Sequence, residues 1–91
     1  MNIKVRVPLS FQRFTRDKAE FECHGDTVEE LLANLVNQYH GINEMLYDEE
    51  GMIRPTLSLF VNGKIVRLTK KEKISLKEGD EILIMQLIAG G

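Results

Sequence analysis

The chain has 91 residues, of which 43% are hydrophobic and 29% charged, a composition typical of one small globular domain and too apolar for a disordered chain. Twelve Lys and Arg against 14 Asp and Glu give a net charge of -2, which argues against nucleic acid as a partner because phosphate binding needs a cationic excess. The single cysteine, Cys23, excludes an internal disulfide. The N-terminus does not resemble a signal peptide, and the longest apolar run is too short to cross a bilayer. These features predict a cytoplasmic protein without a membrane partner.

Two segments of alternating polarity open the chain and predict two half-buried strands. The inward positions are Ile3, Val5 and Val7 in the first segment, and Ala19, Phe21 and Cys23 in the second. Because residues 9–18 join the segments, an antiparallel hairpin is the simplest interpretation. Cys23 shares a face with Phe21 and is predicted to be a small apolar core residue, while its neighbour His24 points to the opposite face and cannot easily act as its base.

The clearest helix pattern follows a break at residues 24–26. Thr27 and Glu30 fit a capping box, in which the hydroxyl caps the first turn and the carboxylate bonds back to the Thr27 N–H. Apolar residues then recur at the spacing of one helical face. They are Val28, Leu31, Leu32, Leu35, Val36 and Tyr39. Gly41 is predicted to end this helix.

The second half of the chain predicts three more strands. Residues 45–47 could form a short helical turn, and the acidic turn 48–51 follows. Residues 57–61 and 64–68 read as strands joined by Asn62-Gly63, a strong hairpin signal because both residues tolerate positive φ. A charged stretch covers residues 69–73, and the turn 78–80 precedes a last strand from about Glu81 to Ile88.

The last strand is apolar on both faces and is therefore predicted to lie in the middle of the sheet. If Ile82 and Ile84 face the helix, the opposite face of the sheet carries exposed apolar side chains. We expect these to be Phe60, Leu83, Met85 and Leu87. A single helix covers one side of a small sheet only, and an exposed apolar patch usually marks a partner surface.

The internal residues show no catalytic or metal-binding pattern. His24 and His40 lack further ligands at suitable spacing, and the acidic turn lacks the ligand spacing of a calcium loop. We therefore expect no metal site and no enzyme activity of the chain itself. The final pair Gly90-Gly91 is different, because two residues without Cβ form a tail thin enough to enter a narrow channel and present the α-carboxylate to another enzyme.

Three motifs resemble the MoaD/ThiS family of ubiquitin-like sulfur carriers. They are Leu59-Phe60-Val61-Asn62-Gly63, the segment Leu76-Lys77-Glu78-Gly79-Asp80-Glu81-Ile82, and Ile88-Ala89-Gly90-Gly91. The resemblance implies an α+β fold of the ubiquitin-like β-grasp type, with a mixed sheet of about five strands packed on one main helix. Residues 1–91 would form one domain with a flexible C-terminal Gly-Gly tail.

The same resemblance implies how the protein acts. A ubiquitin-activating-type enzyme would adenylate the Gly91 carboxylate with ATP and magnesium, and a sulfur donor protein would convert it to a thiocarboxylate. The tail would then deliver sulfur in the active site of the large subunit of a synthase, with Gly90 keeping the tail slim. Phe60, Leu83, Met85 and Leu87, together with Ile88 and Ala89, would bind these partners, and the chain itself would hold no cofactor.

The acceptor of the sulfur stays open. The acidic turn 48–51 resembles the longer members, which favours the molybdopterin synthase small subunit and molybdenum cofactor biosynthesis. A carrier for cysteine biosynthesis resembles this length equally well, whereas thiamine carriers are usually shorter in this region. Members often carry proline shortly before Ala-Gly-Gly, where this chain has Met85-Gln86-Leu87-Ile88. The same tail would also suit a protein modifier that joins Gly91 to lysines, and a plain binding module with incidental terminal glycines would share the fold.

Overall fold

The computed structural model describes residues 1–68 and 73–87, which form a five-stranded mixed sheet with helices on one side. The strands are β1 (Asn2–Arg6), β2 (Glu20–His24), β3 (Leu57–Val61), β4 (Lys64–Val66) and β5 (Glu81–Gln86). The helices are α1 (Leu9–Gln12), α2 (Val28–Gln38) and α3 (Asn43–Leu46), with a 3-10 turn at His40–Ile42. The predicted charged stretch 69–73 lies outside the described residues except for Lys73, and so does the predicted tail 88–91.

The strand order in the sheet is β2-β1-β5-β3-β4, which confirms the central position predicted for the last strand. β1 and β2 form the predicted antiparallel hairpin, and β3 pairs with both β4 and β5 in antiparallel fashion. β1 and β5 are parallel, with Val5 opposite Ile82. The turn between β3 and β4 has φ of 50° at Asn62 and 82° at Gly63, as expected for a type I′ hairpin.

The core lies between the sheet and α2 and confirms the predicted inward faces except at Ala19, which precedes β2 and is exposed. Ile3, Val5, Ile82 and Ile84 from the two central strands are at most 1% exposed. They pack in one cluster with the apolar face of α2, whose buried residues are Val28, Leu31, Leu32 and Leu35. The helix turns this face to the sheet because its apolar residues recur at the helical period.

Both ends of α2 differ in detail from the prediction. The Thr27 hydroxyl accepts a hydrogen bond from the Glu30 N–H at 3.1 Å, so the predicted N-cap is confirmed. Within residues 1–68 and 73–87, the return bond from the Glu30 carboxylate is absent. The helix ends at Gln38, before Gly41, which lies in the 3-10 turn. Gly41 serves packing instead, because a Cβ there would lie 2.3 Å from Cδ1 of Phe14.

Two strands are shorter than predicted, for reasons of pairing. The pairing of β4 with β3 ends at Val66 opposite Leu59, so the strand stops before Leu68. β5 ends at Gln86 because its partner Leu57 is the first residue of β3. Among the described residues, no helix is both long and apolar enough to span a membrane.

Candidate functional site: the outer face of the sheet

The side of the sheet turned away from α2, which we call the outer face, carries two different chemistries. Successive residues of a strand point to opposite faces. Because Ile82 and Ile84 are buried in the core, Leu83 and Met85 point to the outer face. Met85 is 46% exposed, and Leu83 is half-buried. The predicted division of β5 into a core face and an outer face is therefore confirmed.

Apolar side chains occupy the half of the outer face formed by β5, β3 and β4. Phe60 lies directly opposite Leu83 on one side and Ile65 on the other, and Ser58 lies opposite Met85. Phe60 is half-buried and Ile65 is 56% exposed. We call Phe60, Ile65, Leu83 and Met85 the apolar patch. Directly opposed residues on neighbouring strands have Cβ atoms about 4.5–5.5 Å apart, so the row from Ile65 to Leu83 presents one continuous surface.

Charged side chains occupy the other half of the outer face, on β1 and β2 and at the first residue of β5. The Arg6 guanidinium lies 3.4 Å from the Glu81 carboxylate and 3.7 Å from that of Glu20, and Lys4 lies 3.2 Å from Glu20. Arg6 is opposite Leu83 in the β1–β5 register, so this charged network borders the apolar patch directly. All four side chains are at least 40% exposed, and such surface pairs contribute little to stability.

The predicted partner-binding residues are only partly brought together by the described structure. Phe60, Leu83 and Met85 form one patch, and Leu87, 61% exposed, follows two residues after Met85. The predicted tail residues Ile88, Ala89, Gly90 and Gly91 lie outside the described residues. Ile65 was missed, because Ile65 and Val66 are both apolar and the predicted strand 64–68 does not show which of the two faces outward.

The residues considered for internal chemistry have structural roles. Cys23 is 2% exposed, and burial raises the pKa of its thiol, which disfavours the reactive thiolate. Asp48 closes the acidic turn itself, because its Oδ1 accepts bonds from the N–H groups of Glu50 at 2.9 Å and Met52 at 3.0 Å. Over residues 1–68 and 73–87, no three His, Cys, Asp or Glu side chains gather into a metal-binding group.

A cavity of about 620 Å³ opens between α2, the loop at residues 51–55 and the β3–β4 hairpin. Its lining is mostly apolar but includes Glu29 and Tyr47. Burial, with a smaller contribution from the Glu29 carboxylate, raises the pKa of the Tyr47 hydroxyl. The raised pKa keeps the tyrosine protonated, so that its hydroxyl is not a base at neutral pH.

The fold defined by these elements is the β-grasp of ubiquitin-like sulfur carriers. The solved complex of BexX and CysO from Amycolatopsis orientalis contains a chain of this fold with a TM-score of 0.84 and 27% identity, covering 98% of this chain and 99% of that one. The ThiS family matches residues 5–91, and the chain therefore belongs to the ThiS family. The resemblance noted from the sequence motifs is confirmed.

Two curated relatives agree with this assignment. A candidate sulfur carrier protein of Archaeoglobus fulgidus is 35% identical over 92 residues, and the match covers all of both chains. The sulfur carrier protein CysO of Mycobacterium tuberculosis is 28% identical over 93 residues, again over the full length of both. Members of this family are small sulfur carriers rather than catalysts, and the solved complex shows that one of them binds a protein partner.

Proposed function

We propose that this protein carries sulfur as a thiocarboxylate on Gly91. The observation that carries the proposal is the family match, which extends through residue 91 and thus includes Gly90-Gly91. The full-length match to two sulfur carriers supports it. The described structure adds that Cys23, the only thiol of the chain, is buried, which leaves the main-chain carboxylate as the better site for sulfur.

The chemistry on the carboxylate has two steps. A ubiquitin-activating-type enzyme transfers AMP from ATP–magnesium to a Gly91 carboxylate oxygen, and pyrophosphate leaves. Hydrosulfide, released by a sulfur donor protein, then attacks the acyl carbon and expels AMP, so that a C–S bond replaces the C–O bond to AMP and a thiocarboxylate is formed. The chain contributes the carboxylate and the docking surface, and the larger enzymes contribute the catalytic groups.

The apolar patch is the surface that we assign to docking. It is a surface cluster of four apolar side chains, of which Ile65 and Met85 are exposed, and its border with β1 is charged. Aromatic and methionine side chains are enriched where proteins bind partners, and methionine adapts to more than one partner surface. A carrier must dock first on its activating enzyme and later on its acceptor enzyme. Use of one patch for both enzymes accounts for the aromatic and methionine side chains in the apolar patch.

For the sulfur acceptor we favour cysteine biosynthesis over the molybdopterin pathway indicated by the acidic turn. The two relatives named CysO match at 27–28% identity over nearly all of this chain. Since the match to the mycobacterial CysO includes residues 48–55, the length of this region does not distinguish the two pathways. Purified thiocarboxylated protein should support sulfide transfer to an activated serine derivative rather than to a molybdopterin precursor.

The decisive experiment is intact mass spectrometry after incubation with ATP, magnesium, a sulfur source and the activating enzyme of the same cells. We expect a mass increase equal to replacement of one oxygen by sulfur, located on the C-terminal peptide. A variant with one residue added after Gly91 should fold but remain unmodified. Cys23→Ala is the matched control and should be modified like the wild type. Modification of the extended variant, or sulfur found on Cys23, would refute the proposal.

Gel analysis separates the carrier from a protein modifier. A modifier would leave covalent conjugates between Gly91 and target lysines that survive denaturing gels, whereas a carrier would not. We expect the free chain only.

A further inference from the structure

The end of β5, from which the C-terminal tail continues, is contacted by a side chain from the N-terminal part of the sequence. β1 pairs with β5 only from Glu81 to Leu83, because β1 ends at Arg6 and the chain then turns at Pro8 into α1. On this side, the part of β5 after Leu83 has no strand partner within the described ranges. The pairing with β3 continues on the other side to Gln86.

α1 takes the place of the missing strand partner. The Ser10 hydroxyl of α1 donates a hydrogen bond to Oε1 of Gln86, the last residue of β5. Both side chains are exposed, and the backbone of α1 beside Ser10 is held by Phe11, which is fully buried in the core. On the other side, the Leu87 N–H donates to the Thr56 carbonyl at 2.7 Å, one residue beyond the strand pairing.

We infer that Ser10 and Gln86 are positioning residues for the Gly91 carboxylate, an inference that rests on the proposed sulfur-carrier function. Together with the Thr56–Leu87 bond they fix the point and direction at which the chain leaves the sheet. Gly91 lies four residues beyond Leu87, which gives a reach of at most about 14 Å. Because the reach is short, the position at which Leu87 leaves the sheet limits where the carboxylate can be presented.

We call the Ser10–Gln86 contact and the Thr56–Leu87 hydrogen bond the clamp. We expect the clamp to affect the binding of the carrier to its activating enzyme and not the chemical step. Each backbone residue that becomes ordered on binding costs about 1–2 kcal/mol of conformational entropy, so a segment already ordered in the free carrier binds more tightly. The chemistry at the acyl carbon involves only groups of the activating enzyme and Gly91. Loss of the clamp should therefore raise KM for the carrier and leave kcat unchanged.

The test compares Ser10→Ala and Gln86→Ala with the wild-type chain as substrates of the activating enzyme. The steady-state rate is measured as ATP-dependent release of pyrophosphate. We expect KM to rise about 5-fold in each variant, the value of one net hydrogen bond, with kcat unchanged and no further rise in the double variant. Gln86→Glu, which keeps an acceptor oxygen, and Ser10→Thr, which keeps the hydroxyl, should restore KM. Gln38→Ala, the same change at the far end of α2, is the control.

A second measurement follows the clamp without any partner. Hydrogen exchange of the Leu87 amide should become about 5-fold faster in Ser10→Ala and in Gln86→Ala, while amides in the middle of β5 keep their wild-type rates. Unchanged Leu87 exchange, or an unchanged KM in both variants beside normal wild-type activation, would overturn this inference alone. A wild-type chain that is never activated would overturn the proposed function instead.

Discussion

Two neighbouring residues of β5, Ile82 and Leu83, allow stability and docking to be separated experimentally. Ile82 is 0% exposed in the core, so Ile82→Ala removes three buried carbons and should lower the free energy of unfolding by about 2–5 kcal/mol. Leu83 lies on the outer face, half-buried beside Phe60, and Leu83→Ala should cost less than about 1 kcal/mol. Urea denaturation followed by circular dichroism measures both values.

The same pair should behave in the opposite way toward a partner. If the activating enzyme covers the apolar patch, Leu83→Ala loses the burial of only the part of the side chain that is exposed in the free carrier, about 1 kcal/mol, which raises KM for the carrier about 5-fold. Ile82→Ala, assayed where it is still folded, should keep a KM close to that of the wild type. Asn37→Ala, an exposed change on α2 at the other side of the sheet, serves as the control.

Either of two results would refute this reasoning. Equal destabilisation by Leu83→Ala and Ile82→Ala would mean that the faces of β5 are wrongly assigned. A wild-type KM for Leu83→Ala would mean that the apolar patch is not the docking surface for the activating enzyme.

Three further predictions concern single positions. Cys23→Ala should lose about 1 kcal/mol of stability by urea titration yet accept sulfur normally, and loss of sulfur transfer in the folded variant would contradict the core role. Gly41→Ala should lower the free energy of unfolding by about 1–3 kcal/mol, because the new Cβ meets Phe14, and an unchanged melting temperature would refute the close contact. The Asn62 amide, bonded at 2.9 Å, holds the pKa of Asp80 below its usual value, so this carboxylate stabilises the fold above the ordinary Asp pKa and the gain is lost as pH falls through the lowered value. The stability difference between wild type and Asp80→Asn should accordingly shrink over that acidic window, and a difference independent of pH would contradict it.

Periodicity predicted most of the fold because each pattern reports directly on burial. The alternation in β5 assigned Ile82 and Leu83 to opposite faces, and the Asn62-Gly63 pair located the hairpin. α1 escaped prediction because a helix of four residues has no repeat to detect, and a single buried residue, Phe11, holds it in place.

The features of the site that were missed depend on contacts between distant parts of the chain. Ile65 joins the apolar patch because β4 pairs with β3 in a register that places it opposite Phe60. Ser10 and Gln86 are 76 residues apart in sequence, and their contact follows from the parallel placement of β1 beside β5. Local propensity carries no information about either arrangement.

The central place of β5 also has a consequence for biogenesis. During synthesis, β1, β2 and β3 leave the ribosome before the strand that must lie between β1 and β3, so the two halves of the sheet cannot join until residues 81–86 emerge. Closing so long a loop is slow compared with forming local contacts. The nascent chain therefore exposes two unpaired strand edges until residues 81–86 have been translated, and the sheet is completed only then.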